Sequence, residues 1–210
     1  MRTELTKLGE QFSLDPMALG HLNTYYELLV KWQKTINLVG PKTIEEFWQR
    51  HLLDSLQLVT LIRPVQQQSP NSSLVDFGTG AGIPGLLLAL SGIEQVTLVE
   101  SDVRKSAFLK EVLRATNHKI SIENNRIEKI PPRPFGIITA RALASLPQLL
   151  TFSYPFVTEE TQLIFPKGTK VEEELADSKT NWLFDCQRHK SLTSDSGVIL
   201  QISNLRPKSR

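Results

Sequence analysis

The sequence predicts an α/β protein: a doubly wound, mostly parallel sheet preceded by a helical extension. Three observations carry that expectation. From about residue 72 onward, short β-rich runs alternate with helical segments, the pattern of βαβ units. The first sixty or so residues show only helical periodicity. Between the two regions lies LVDFGTGAGIPG, Leu74 to Gly85, where an apolar run ends in an acid and then in four glycines.

Each element follows from local pattern. Apolar residues recur three and four apart at Leu19, Leu22, Tyr25, Tyr26, Leu28 and Leu29, and the stripe reaches Trp32. A second helix is expected over about Ile44 to Ile62, with Phe47, Trp48, His51, Leu52, Ser55 and Leu56 on adjoining positions. Arg63–Ser73 is polar, contains two prolines and reads as a connector. SLVDF is a strand, and IPGLLLALS a helix with Pro84 near its first turn, where a missing N–H costs nothing. QVTLVE is the next strand. Asp102 is placed to cap the helix after it, whose expected apolar face is Val103, Ala107, Phe108, Val112 and Leu113. KISIEN, FGIITA and TQLIFPKG read as further strands, with LASLPQLLTF and KVEEELAD as helices. WLFDCQRH and GVILQIS read as a closing strand pair, and the basic end NLRPKSR as a loose tail.

Bulk properties narrow the class. At 210 residues, the chain is long enough for one good-sized domain or a domain with an appendage. A formal charge of +2 permits an acidic partner without demanding one. The single cysteine, Cys186, excludes an internal disulfide framework and fits a reducing compartment. The first fifteen residues carry scattered charges and no apolar core, so no secretory leader is expected. The longest apolar segment, GLLLALSGI, is far short of the ~18 residues of a membrane span. The expectation is a cytoplasmic protein with no membrane partner.

In a doubly wound sheet, ligands bind beyond the carboxyl ends of the strands, so the first strand-to-helix turn is the place to look. Glycines there permit positive φ and remove the Cβ atoms that would hold a ligand off the backbone. Gly80-x-Gly82-x-x-Gly85 matches the dinucleotide fingerprint, which keeps a nicotinamide enzyme in view. Against it stands Asp76, just before Gly78. A carboxylate repels a pyrophosphate and favours a cationic or amino-bearing ligand such as S-adenosylmethionine. Glu100, at the end of the next strand, is placed to accept hydrogen bonds from ribose hydroxyls, which both cofactors contain. The four histidines show no metal-ligand spacing. Cys186 sits in a late apolar strand and is expected to be buried. Arg50, His51, Asp54 and Ser55 are spaced to share one helix face. Arg104, Lys105, Lys110, Arg114 and Lys119 form a basic cluster that either tracks phosphates or is simply solvated.

NLVG at Asn37–Gly40, RHLLDSL at Arg50–Leu56, DFGTGAGIPG at Asp76–Gly85, RIE at Arg126–Glu128, TARALASL at Thr139–Leu146 and PKG at Pro166–Gly168 occur in that order. Together they resemble the bacterial small-subunit ribosomal RNA guanine-N7 methyltransferases, also called glucose-inhibited division protein B. The glycine loop taken singly is shared by many methyltransferases; RHLLDSL and ARALASL are more specific. The resemblance implies a class I S-adenosylmethionine-dependent methyltransferase fold, a Rossmann-like doubly wound sheet. The expected organisation is a helical extension over 1–63, a methyltransferase domain over 72–205 and a basic tail over 206–210. The resemblance also implies S-adenosylmethionine as donor, held by Gly78 and Ile83, by Ile127 and Glu128, and by Arg141. Asp76, Gly80 and Glu100 join that set from the strand ends and the glycine loop. The implied acceptor is guanine N7 in 16S ribosomal RNA or a small-subunit precursor, with Arg50, His51, Asp54, Ser55, Arg141 and Lys167 as candidate RNA contacts and a monomer as the acting form. Guanine N7 carries a lone pair and no proton, so no general base is expected, only positioning. The alternatives are another RNA base or a small molecule as acceptor, a nicotinamide-dependent reductase, or a non-catalytic nucleotide-binding module.

Overall fold

The computed structural model of the chain describes residues 2–40, 43–69 and 72–208. Its centre is a seven-stranded sheet in the order β3-β2-β1-β4-β5-β7-β6. Strands β1 (Leu74–Phe77), β2 (Val96–Val99), β3 (Ser121–Glu123), β4 (Ile137–Ala140) and β5 (Gln162–Lys167) are parallel. Strands β6 (Trp182–Lys190) and β7 (Val198–Pro207) form the closing antiparallel pair, with β7 inserted beside β5. The strand order reverses at β1, so the crevice at its carboxyl end is the topological switch point.

Successive strand side chains point to opposite faces. Leu74, Val96, Leu98, Ile137 and Ile164 face one buried cluster, which α5 (Gly85–Leu90) and α6 (Val103–Thr116) cover. Val75, Phe77, Val99, Ile138 and Phe165 face the other, covered by α7 (Leu146–Ser153) and α8 (Val171–Asn181). The extension comprises α1 (Arg2–Phe12), α2 (Pro16–Gln33), a π-helical turn over Trp48–Leu53 that runs into α3 (Asp54–Leu56), and α4 (Val59–Gln68). Its Leu22, Tyr25, Leu29, Phe47, Leu52 and Leu56 belong to the same cluster as α5 and α6. Burying a side chain of this size contributes roughly 1.5–3 kcal/mol, so the extension and the sheet stabilise each other.

Helix starts follow from their caps. Asp15 accepts from the Ala18 N–H at 2.7 Å ahead of α2. Asp102 accepts from the Arg104 N–H at 2.8 Å ahead of α6, and Asn117 ends that helix at φ 51°.

Four expectations change. The helix expected over Ile44–Ile62 is broken into the π-helical turn and two α-helical pieces. The connector expected over Arg63–Ser73 is helical as far as Gln68, despite Pro64 inside it. Ile62 is fully buried there, and Arg63 donates to the Phe12 carbonyl at 3.0 Å, so tertiary contacts outweigh the proline; residues 70–71 lie outside the described set. On α6 the buried face is Ser106, Phe108, Leu109, Val112 and Thr116, while Val103 and Ala107 face solvent. The expected tail is largely strand: β7 reaches Pro207, with Arg206 opposite Leu183 and Pro207 opposite Trp182, and residues 209–210 lie outside the described set. Among the described residues no helix is long and apolar enough to cross a membrane.

Candidate active site

Asp76 shares a strand face with Leu74 and therefore points at α5, not into the crevice. It is fully buried. Its Oδ2 accepts the Gly85 N–H at 2.9 Å and its Oδ1 accepts the Thr139 hydroxyl at 2.8 Å. α5 approaches so closely that a Cβ on Gly85 would lie 2.5 Å from the Asp76 Cβ. Asp76, expected to face the ligand, instead braces the glycine loop from below. Burial pushes its carboxyl up to about 6, against the opposing hydrogen bonds from Thr139 and Gly85.

Five of the loop's N–H groups are already engaged. Thr79 donates to the Val99 carbonyl at 3.0 Å, Gly82 and Ile83 to the Thr79 carbonyl at 2.8 and 2.9 Å, and Gly80 to Glu100 Oε2 at 2.8 Å. With the Gly85 N–H on Asp76, these five groups are not free to cradle a pyrophosphate, which counts against the nicotinamide reading. Tyr25, from α2, donates to the Ala81 carbonyl at 2.7 Å and ties the extension to the loop.

Above the loop lies a cavity of about 300 Å³. Gly78, Gly80 and Glu100 form one side of it, Asn125 to Glu128 a second, and Ala142, Leu143 and Phe152 a third, with Lys105 also on its lining. Gly78 has φ +61°, and a Cβ there would lie 2.5 Å from Leu143 Cδ1, so glycine is required both by the backbone and by the wall. Glu100 is buried and receives the Gly80 N–H on Oε2 and the Asp102 N–H at 2.7 Å on Oε1. Each carboxylate oxygen can accept a further hydrogen bond, which suits ribose hydroxyls. Apolar Ile127, Leu143 and Phe152 suit an adenine ring, and the Glu100 and Glu128 carboxylates suit a cationic ligand better than a phosphate. The donor set fits S-adenosylmethionine. Gly78, Gly80, Glu100, Ile127 and Glu128 come together as expected. Ile83 and Arg141 do not: the Ile83 side chain is buried in the core cluster of α5, and Arg141 borders the neighbouring cavity instead.

A second cavity, of about 520 Å³, shares Ala142 and Leu143 with the first. Asp54, Arg141, Ser145, Lys167, Glu174 and the loop between β6 and β7 line it. Arg141, at the end of β4, is held by the π-helical turn. Its Nε pairs with Asp54 Oδ2 at 2.9 Å, Nη1 meets His51 Nδ1 at 3.2 Å, and Nη2 donates to the Arg50 carbonyl at 2.8 Å. Burial, then the Arg141 and Arg50 charges, lower the His51 pKa to about 4. His51 is therefore neutral near pH 7, with Nδ1 accepting and the proton on Nε2. Asp54 Oδ1 also accepts from Thr193 Oγ1 at 2.6 Å and Gln57 Nε2 at 2.8 Å, while Gln57 Oε1 accepts the Leu192 N–H at 2.8 Å. These bonds lock the β6–β7 loop onto the extension.

The expected RNA contacts divide. Arg50 is exposed and pairs with Glu46 at 3.3 Å. Arg141 and Asp54 border the second cavity. His51 and Ser55 are buried, Ser55 donating to the His51 carbonyl at 2.7 Å, so neither faces solvent or RNA. Lys167 borders the second cavity as well, with its ammonium held by Glu174 at 2.6 Å and the Ala144 carbonyl at 3.1 Å. Of the basic cluster, Arg104 pairs with Asp102 and Arg114 with Glu111, and Lys105 reaches the first cavity. Cys186 is half-buried on β6 instead of fully buried, borders neither cavity, and burial raises its thiol pKa, so it has no nucleophilic role. Sequence reasoning missed Tyr25, Gln57, Thr193 and Glu174 as parts of the site. Tyr25 carried a signal, a hydroxyl on an otherwise apolar stripe; the other three carried none.

Comparison with known proteins places this geometry. The profile of a family described as GidB, rRNA small subunit methyltransferase G, matches residues 18–202. A ribosomal RNA small subunit methyltransferase G from Paramagnetospirillum magneticum is 46% identical over 198 residues, covering 94% of this chain and 92% of the relative. One from Rhodospirillum rubrum is 42% identical over 184 residues, covering 88% and 89%. Among solved structures, magnesium protoporphyrin IX methyltransferase from Synechocystis PCC 6803 with bound S-adenosylmethionine superposes with a TM-score of 0.56. It is 9% identical, with 90% of this chain and 97% of that one covered, a likeness of fold.

Proposed function

Because the chain belongs to the rRNA small subunit methyltransferase G family, we propose that it transfers a methyl group from S-adenosylmethionine to N7 of one guanine in a loop of 16S ribosomal RNA. The observation that carries this reading is the pair of cavities sharing the Ala142–Leu143 wall. The first takes the donor, on Gly78, Gly80, Glu100, Ile127 and Glu128; the second takes the base. When bound, S-adenosylmethionine supplies an electrophilic methyl group on a sulfonium. The chain supplies alignment. N7 attacks through a lone pair and loses no proton, so approach and direction are the whole catalytic task. Glu100, held by the Gly80 and Asp102 N–H groups, fixes the ribose. Arg141, held by Asp54 and His51, sets the start of the wall between donor and acceptor.

The deep, narrow groove of A-form RNA hides N7, so the acceptor is an unpaired or splayed base. The setting proposed is the cytoplasm, with the chain acting as a monomer on 16S RNA or a partly assembled small subunit. The test is mass spectrometry of digested 16S RNA. RNA from cells lacking the protein should have lost one N7-methylguanosine, and the purified protein with S-adenosylmethionine should restore it. Unchanged N7-methylguanosine in those cells, or restoration of a different modified base, overturns the reading.

A further inference from the structure

We propose that Glu174 selects guanine, its free carboxylate oxygen accepting from the N1–H and N2 amino groups of the target base; this rests on the rRNA guanine methylation proposed above. Glu174 lies in the first turn of α8 and borders the second cavity. Its Oε2 is occupied by the Leu146 N–H at 2.6 Å and the Lys167 ammonium at 2.6 Å. Its Oε1 has no hydrogen-bond partner among the described residues. The other carboxylate bordering this cavity is Asp54, which is spent: Oδ1 takes Thr193 and Gln57, and Oδ2 takes Arg141. Glu174 Oε1 is thus the carboxylate oxygen left for a ligand in this cavity.

Guanine's Watson–Crick edge presents two neighbouring donors, N1–H and the N2 amino group, whereas adenine presents a bare N1 lone pair there. A carboxylate oxygen attracts the first edge and repels the second. N7 lies on the opposite side of the purine from this edge, so a base held by Glu174 keeps N7 unbound for the methyl group. The carboxylate is also pre-positioned: the Leu146 N–H and Lys167 anchor one oxygen and leave the other aimed by the geometry of the group. Lys167, expected to meet RNA itself, acts here as the anchor of the reader.

The test uses the full chain and 16S RNA carrying guanosine, inosine or 1-methylguanosine at the target position. Inosine lacks the N2 amino group but keeps N1–H, O6 and N7; 1-methylguanosine lacks N1–H. The wild-type protein should lose about tenfold or more in kcat/KM on either analogue, because each removes one of the two donors that Glu174 accepts. Glu174→Gln retains an oxygen for the Leu146 N–H but turns an amide nitrogen toward the base. It should lose a similar factor on guanosine and no longer separate guanosine from inosine, with S-adenosylmethionine affinity unchanged and the melting temperature lowered by loss of the Lys167 ion pair. Equal rates for wild type on guanosine and inosine overturn the proposal without any variant, and so does a Glu174→Gln protein that still prefers guanosine. Failure of the wild type on the guanosine RNA itself is the distinct result that removes the function reading, and this proposal with it.

Discussion

Asp76 stands at a strand end, where an acid usually meets a ligand, yet both of its oxygens serve the fold. Its folded carboxyl titrates near 6, against 3.8 for the ordinary side chain, so the neutral form suits the folded state. Its contribution to stability is therefore complete below about pH 4 and lost as pH rises through 6, a change on the order of 3 kcal/mol. His51 runs the other way: its pKa falls from 6.5 to about 4, so its contribution is present above 6.5 and lost as pH falls through 4. Asp76→Asn keeps an acceptor for the Gly85 N–H and leaves His51 untouched. Denaturant unfolding of both proteins from about pH 4 to 7 should show the variant gaining on wild type by up to that amount; a pH-independent difference would refute the assignment. Tyr25→Phe should cost about 1–3 kcal/mol, because the buried Ala81 carbonyl loses its partner. It should also weaken S-adenosylmethionine binding in calorimetry, since Ala81 belongs to the glycine loop. Unchanged affinity would show that the loop holds its shape without α2. Glu100, Gly78 and Gly80 were legible as cavity residues because strand-end position and glycine spacing place them directly. Asp76 was not, because all four residues of β1 are buried and alternation alone does not say which face looks toward α5.

The π-helical turn is the element on which the second cavity depends. A π turn widens the helix by one residue and is frequent at functional positions. Here it lets the Arg50 carbonyl, His51 and Asp54 converge on one guanidinium. Asp54→Ala removes acceptors from Arg141, Thr193 and Gln57 together. It should lower stability by about 1–3 kcal/mol and kcat/KM by about tenfold or more, with the far-ultraviolet spectrum retained. Full activity in a stable Asp54→Ala protein would show that Arg141 needs no anchor. Among elements, alternation and capping made the sheet strands and α6 readable. The π turn was not readable, since its five-residue spacing is stabilised by a partner 90 residues away in the chain. The helix through Pro64 was missed for the same reason: local propensity votes for a break, and burial of Ile62 overrules it.

Over the whole molecule, one core joins α1 to α4 with α5, α6 and a face of the sheet. Removing residues 1–63 would uncover that face, including Leu86, Phe108 and Leu109, and withdraw Tyr25 from the loop. The truncated chain should lose its cooperative thermal transition and bind a hydrophobic dye; a cooperatively folding truncation would show the extension to be an appendage. The amino-acid sequence by itself determined the fold class, the order of strands and helices, and the glycine junction with Glu100 beside it, because these follow from periodicity and spacing within a few residues. Only the tertiary structure decided that Asp76 braces the loop, that Lys167 is paired with Glu174, that Arg141 is gripped by the extension and that Glu174 keeps one oxygen open. Those outcomes depend on which faces of distant segments meet and on which polar groups each contact leaves unmatched, and neither is encoded in any short stretch of residues.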